Sequence, residues 1–148
     1  LELTRWTFED VRLRRVGDHA TDGRSSLQVV LEPTGPYPSV SLAAVPGNWR
    51  GYDALAFDVH VDGGGTLALH LKVIDAEYDD TWEDGFEETL MLGAGENEVR
   101  IPLARIAQGP RRRHLDLGNV AAVQLYLDHP KQARVIHLDH VRLVREAE

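Results

Sequence analysis

An all-β fold, an antiparallel β-sandwich of jelly-roll type, is what this sequence predicts, and three observations predict it. Apolar and polar side chains alternate at period two through most of the chain. Glycine, proline, asparagine and aspartate clusters punctuate these runs at short intervals. Only 103–108 has room for a helix, and for little more than one turn. Many short strands separated by turns argue for a sandwich.

The elements follow in order. A first pair of strands is expected near Arg5–Glu9 and Val11–Arg15, then Asp22-Gly23 marks a turn before Ser26–Glu32. Pro33-Thr34-Gly35-Pro36 separates that strand from Ser39–Ala43, and Pro46-Gly47-Asn48 closes the latter. Leu55, Phe57, Val59 and Val61 share one face of the next run, with Ala56, Asp58 and His60 on the other. Asp62-Gly63-Gly64-Gly65 reaches positive φ cheaply, and Leu67, Leu69, Leu71 and Val73 alternate after it. These two runs predict a hairpin with one buried face. Phe86–Leu92, Glu98–Pro102, Val120–Asp128 and Val135–Val144 complete the set, with turns at Gly93-Ala94-Gly95 and Asp128-His129-Pro130. In the last strand Leu138 and Val141 lie three apart, so one extra residue at Asp139-His140, a β-bulge, is needed to bury both. Such a bulge either re-aims Asp139 or is a plain sheet-edge irregularity.

Composition bounds the function. The 148 residues suit one domain spanning 1–148, with 43% apolar and 27% charged residues. A net charge of -8 repels phosphate backbones at long range, so no nucleic-acid partner is expected. The basic run Arg111-Arg112-Arg113 has no interleaved aromatic residue and reads as a solvated turn. No apolar run approaches the roughly 20 residues of a membrane helix, so direct membrane insertion is not expected. Cysteine is absent, which removes disulfides and thiolate chemistry together. The chain starts at Leu1 and has Met91 as its one methionine, the look of a mature or excised piece. Serine-elbow, phosphate-loop and His-Glu-x-x-His signatures are missing, so no enzyme is expected. The best local histidine cluster, His137-x-Asp139-His140, would share a metal only through the bulge.

Several stretches together resemble the galactose-binding-domain-like β-sandwiches, which include many carbohydrate-binding modules. They are Trp6-Thr7-Phe8-Glu9, Asp22-Gly23-Arg24-Ser25-Ser26-Leu27, Asn48-Trp49-Arg50-Gly51-Tyr52-Asp53-Ala54-Leu55, Asn97-Glu98-Val99-Arg100-Ile101-Pro102-Leu103 and Leu138-Asp139-His140-Val141-Arg142-Leu143. Arg113-His114-Leu115-Asp116-Leu117 and the run to the last strand also resemble a sugar-binding-like domain appended to some VanZ-like bacterial membrane proteins. The resemblance implies a carbohydrate partner and an extracytoplasmic location, secreted or tethered. It also implies one structural Ca2+, held by Glu9, carbonyls around 18–24, and Asp139. Where the family often has two acids before the closing strand, the second position here is His140. The competing reading pairs Glu9 and Asp139 with arginines such as Arg142 or Arg12.

Two surfaces are candidates for the ligand. Alternation puts Asp58, His60, His70, Lys72, Glu87, Thr89, Arg100, Gln124, Tyr126 and Asp128 on the polar side of the strands. Planar polar groups for vicinal hydroxyls and an aromatic ring for the C–H face are what a sugar needs. The second surface is the 75–85 loop, DAEYDDTWEDG, where Tyr78 and Trp82 stand among acids as stacking platforms. The ligand set expected is thus His70, Lys72, Tyr78, Trp82, Glu87, Gln124, Tyr126 and Asp128. A plain solvated face with Trp82 folded on the core would instead indicate a structural or protein-interaction domain of a bacterial envelope protein. Trp49 reads as core or rim packing, and Trp6 as a core anchor. A small hydrolase would need two facing carboxylates, one with a raised pKa.

Overall fold

A computed structural model describes residues 5–9, 11–16, 26–44 and 47–145. Its strands are β1 (Arg5–Glu9), β2 (Val11–Val16), β3 (Ser26–Leu31), β4 (Ser39–Ala43), β5 (Ala54–Val61), β6 (Leu67–Asp75), β7 (Phe86–Leu92), β8 (Gly95–Pro102), β9 (Val120–Tyr126) and β10 (Arg134–Val144). A 3-10 turn at Trp82–Asp84 and a short helix α1 (Leu103–Ala107) are the helical elements among these residues. The strands form two antiparallel five-stranded sheets, β1-β4-β9-β6-β7 and β2-β3-β10-β5-β8. The all-β sandwich expected from the alternation is therefore the fold.

One expected connection is different. β5 and β6 do not pair as a hairpin: β5 lies between β10 and β8, and β6 lies between β7 and β9 in the other sheet. Asp62–Thr66 crosses from one sheet to the other, with Gly63 and Gly65 at φ 89° and 82°. Period two says which face of a strand is apolar, and two apolar faces are buried equally well side by side or face to face. Here they meet face to face. Leu55, Phe57, Val59 and Val61 of β5 and Leu67, Leu69, Leu71 and Val73 of β6 all belong to one core, each at most 4% exposed. Each such side chain contributes about 1.5–3 kcal/mol of burial.

A second crossing, from β7 to β8, is held by a side chain. Asn97 accepts a hydrogen bond from the Gly93 N–H at 3.1 Å and donates to the Gly93 and Gly95 carbonyls at 2.8 and 3.0 Å. The bulge is where the apolar spacing requires it. The β10–β5 register slips by one residue between Asp139 and Arg142, His140 takes φ 53°, and Leu138 and Val141 are both buried. Asp139 accepts the His140 N–H at 2.8 Å, so its carboxylate braces the bulge. Trp49 is fully buried, so it packs in the core rather than at the rim. The Trp6 side chain lies outside the described part.

Candidate functional site

The outward face of the β1-β4-β9-β6-β7 sheet is built in register rows. Ser39, Tyr126, His70 and Thr89 stand opposite one another across β4, β9, β6 and β7. One step along, Ser41, Gln124, Lys72 and Glu87 form the next row. Antiparallel pairing brings side chains in such rows within about 5 Å of their neighbours. A cleft of about 640 Å³ opens over these rows, and six of the eight residues of the expected ligand set line it: His70, Lys72, Glu87, Gln124, Tyr126 and Asp128, with Thr89 of the polar face beside them. That volume lies inside the usual range for small-ligand sites.

Aromatic geometry dominates the cleft. The His70 and Tyr126 rings stack with centroids 5.0 Å apart and planes 22° apart. Tyr37 meets Tyr126 edge to face at 6.1 Å, and the His129 ring packs on Tyr37 at 5.1 Å. Tyr37 is still 51% exposed, so part of its ring remains open to a ligand. Around the rings stand hydrogen-bonding groups. Thr89 Oγ1 lies 3.0 Å from His70 Nδ1, and the Asp128 carboxylate bonds the His129 ring. Glu87 Oε2 is shielded from solvent with no hydrogen-bond partner, an acceptor in need of a donor. Glu88, also at the cleft, is held by Arg105 of α1 at 2.9 Å.

Tyr78 reaches the site through Lys72, whose Nζ donates to its hydroxyl at 2.7 Å. The loop carrying Tyr78 is anchored by Arg113. That guanidinium makes a bidentate pair with Asp75, Nη1 to Oδ2 at 2.6 Å and Nη2 to Oδ1 at 2.8 Å. It also grips both oxygens of Asp84 at 2.8 and 2.9 Å. The reading of Arg111–Arg113 as a solvated turn fails at Arg113, because two loop carboxylates fold onto it. Burial pushes the fully buried Asp75 carboxyl up, but Arg113 and the N–H groups of Asp116 and Glu77 outweigh this and hold it below the usual range. Hydrogen bonds from Arg113 likewise hold Asp84 low, and both carboxylates push Arg113 further up. The Asn119 amide, first of several donors, lowers Asp116.

Other expected residues fall elsewhere. Asp58, His60 and Arg100 lie on β5 and β8, in the second sheet, because the expected hairpin is a crossing. There His60 contacts Asp62 and Glu96, both at 3.2 Å. The Trp82 side chain lies outside the described residues. Glu9 and Asp139, the side chains the resemblance implies for calcium, stand towards opposite ends of the strands. Glu9 pairs with Ser39 in the first sheet, two residues before Val11, whose row runs through Leu31 to Arg134. Asp139 sits five residues further along β10, about 17 Å away along the strand direction. Residues 18–24, the third part of that ligand set, lie outside the described residues. Among the described residues no three His, Asp or Glu side chains gather for a metal, the His137-x-Asp139-His140 stretch included. Tyr37 was not expected. Its signal, an aromatic between Pro36 and Pro38, sits in a loop where no periodicity tells a face.

No family model matches the chain. It is 26% identical to β-agarase B of Vibrio sp. (strain JT0107), over 93% of this chain and 18% of that enzyme. Its fold is similar to part of an exo-β-agarase, with TM-score 0.77, 15% identity and coverage of 97% of this chain and 23% of the other. It is also similar to the family 11 carbohydrate-binding module of Clostridium thermocellum, solved with a β-1,3-1,4-mixed-linked tetrasaccharide (TM-score 0.76, 13% identity, 97% of this chain and 90% of the other). A family 30 carbohydrate-binding module of a Clostridium thermocellum cellulase follows, at TM-score 0.67, 13% identity and coverage of 94% and 88%. The chain thus spans under a quarter of the agarases and nearly all of the modules. At these identities the likeness is one of fold, a β-sandwich that these modules share.

Proposed function

We propose that this chain is a non-catalytic carbohydrate-binding module, which holds an extended glycan in the cleft over β9, β6 and β7. The observation that carries the reading is the stacked Tyr126–His70 pair with Tyr37 beside it, set among unsatisfied or exposed polar groups. A pyranose ring offers an apolar C–H face to such rings and hydroxyls to the groups around them. Gln124 supplies both an amide donor and an acceptor, and the Glu87 carboxylate lines the cleft in the same row. His70, Lys72, Tyr78, Glu87, Gln124, Tyr126 and Asp128 are the proposed contacts, joined by Tyr37. The 75–85 loop is held to Arg113 by its carboxylates, so Asp75 and Asp84 are committed to structure rather than to acid–base work.

Agar polysaccharides and mixed-linked β-glucans are the first ligands to try, given the agarases and the module whose fold this chain shares. A module for polymers too large to cross a membrane belongs on a protein outside the cytoplasm, and a secreted or tethered parent protein is part of the proposal. No helix among the described residues is long and apolar enough to cross a membrane. A glycan-array screen with and without calcium, then titration calorimetry on the hits, tests the reading. Saturable binding of a defined chain is expected. A blank across the array on folded protein would refute it.

A further inference from the structure

The cleft does not stop at His70 and Asp128. Both residues also line a second hollow of about 450 Å³, which continues over Ala68 to Lys131 and Arg134 at the end of the sandwich. Two hollows with common walls make one groove, and its two ends differ in charge. The cleft holds Lys72 against Glu87, Glu88 and Asp128. The extension holds Lys131 and Arg134, and the one carboxylate on its wall is the shared Asp128, which bonds the His129 ring.

Arg134 is the telling residue. Its side chain lines the groove and is only half-buried, and Nη2, although turned from solvent, makes no hydrogen bond, so no pairing holds the guanidinium away from a ligand. Among the described residues neither Arg134 nor Lys131 pairs with a carboxylate. A guanidinium offers a planar fork that matches two oxygens of one anion, and a neutral hydroxyl uses it poorly.

We propose that this extension is a subsite for an anionic substituent, a sulfate ester or a uronate carboxylate, on the glycan whose backbone lies in the cleft. The inference rests on the carbohydrate reading above. It adds that the chain runs along the strands from Lys72 towards Arg134, with a charged substituent at the Arg134 end.

Calorimetry on the whole chain with three matched oligosaccharides tests it: an agar tetrasaccharide, its 6-O-sulfated form and its form oxidised to a carboxylate at that carbon. At low salt one of the charged forms should bind roughly tenfold tighter than the neutral one. The form that gains identifies the substituent. Arg134→Gln should erase that preference and leave the neutral form's affinity unchanged. Should Arg134→Gln melt early, Lys131→Gln, at an exposed side chain, should halve the preference or better on an intact fold. Equal binding of all three forms, or a preference that survives both substitutions, would overturn the subsite while the module reading stands. No binding of any form would overturn the subsite, and a blank across the whole glycan array on folded protein would bring down both.

Discussion

Tyr126 is the residue on which the site turns, because it meets both other rings: it stacks on His70 and stands at right angles to Tyr37. Tyr126→Ala should therefore weaken glycan binding at least tenfold by calorimetry. The same substitution should lower the melting temperature by only a few degrees, since the ring is half-buried and outside the core. Tyr37→Ala offers a cleaner separation. Its side chain is half in solvent, so the fold should melt as before while affinity falls severalfold. An unchanged affinity in both variants would remove the aromatic platform. At this scale, alternation sufficed for His70, Lys72, Gln124 and Tyr126, since a strand residue's face follows from counting. Tyr37 lies in a loop, where counting has no meaning.

The element that most depends on a single side chain is the 75–85 loop, with Arg113 joining Asp75 to Asp84. Arg113→Ala leaves a fully buried carboxylate without its cation and should cost about 3 kcal/mol, the low end for buried pairs because Arg113 keeps 24% exposure. That corresponds to a melting point lower by about 6–12 °C. Glycan affinity should fall too, because Tyr78 and the Lys72 hydrogen bond travel with the loop. Acid should act through the same carboxylates. Asp75, Asp84 and Asp116 all have folded pKa values below their unfolded ones. Their contribution is complete above the ordinary carboxyl value of about 3.9 and is lost as pH falls from there through the folded values. Melting temperature should thus decline steeply below pH 4, and Arg113→Ala should flatten that decline. A decline of equal steepness in the variant would assign the acid sensitivity to other groups. The β-bulge shows the opposite situation: an element legible from two apolar residues at odd spacing, because the core accepts both only if one residue is inserted.

Across the whole molecule, the two sheets are joined by crossings and by α1, which closes one edge. Leu103 and Ile106 bury there, and Gly109 follows so closely on β7 that a Cβ would sit 2.5 Å from the Phe86 Cα. Gly109→Ala must shift that backbone and should destabilise by about 1–3 kcal/mol, read by denaturant unfolding. A neutral result would mean that the α1 exit can move away from β7. The same edge takes up Glu88 through Arg105, which keeps one cleft carboxylate away from a ligand.

What the sequence determined by itself was periodic: strand positions within three residues, the buried face of each, the bulge, the lack of room for helices and most of the polar face of the cleft. Each of these depends on neighbours within one strand, whose geometry is known in advance. Tertiary structure alone decided which strands pair, that β5 and β6 part into different sheets, and that Asp58, His60 and Arg100 leave the cleft. It alone brought Arg113 to Asp75 across 38 positions and Tyr37 to Tyr126. Those contacts join segments distant in the chain, and a period-two pattern is satisfied equally by a neighbour beside it or a sheet opposite.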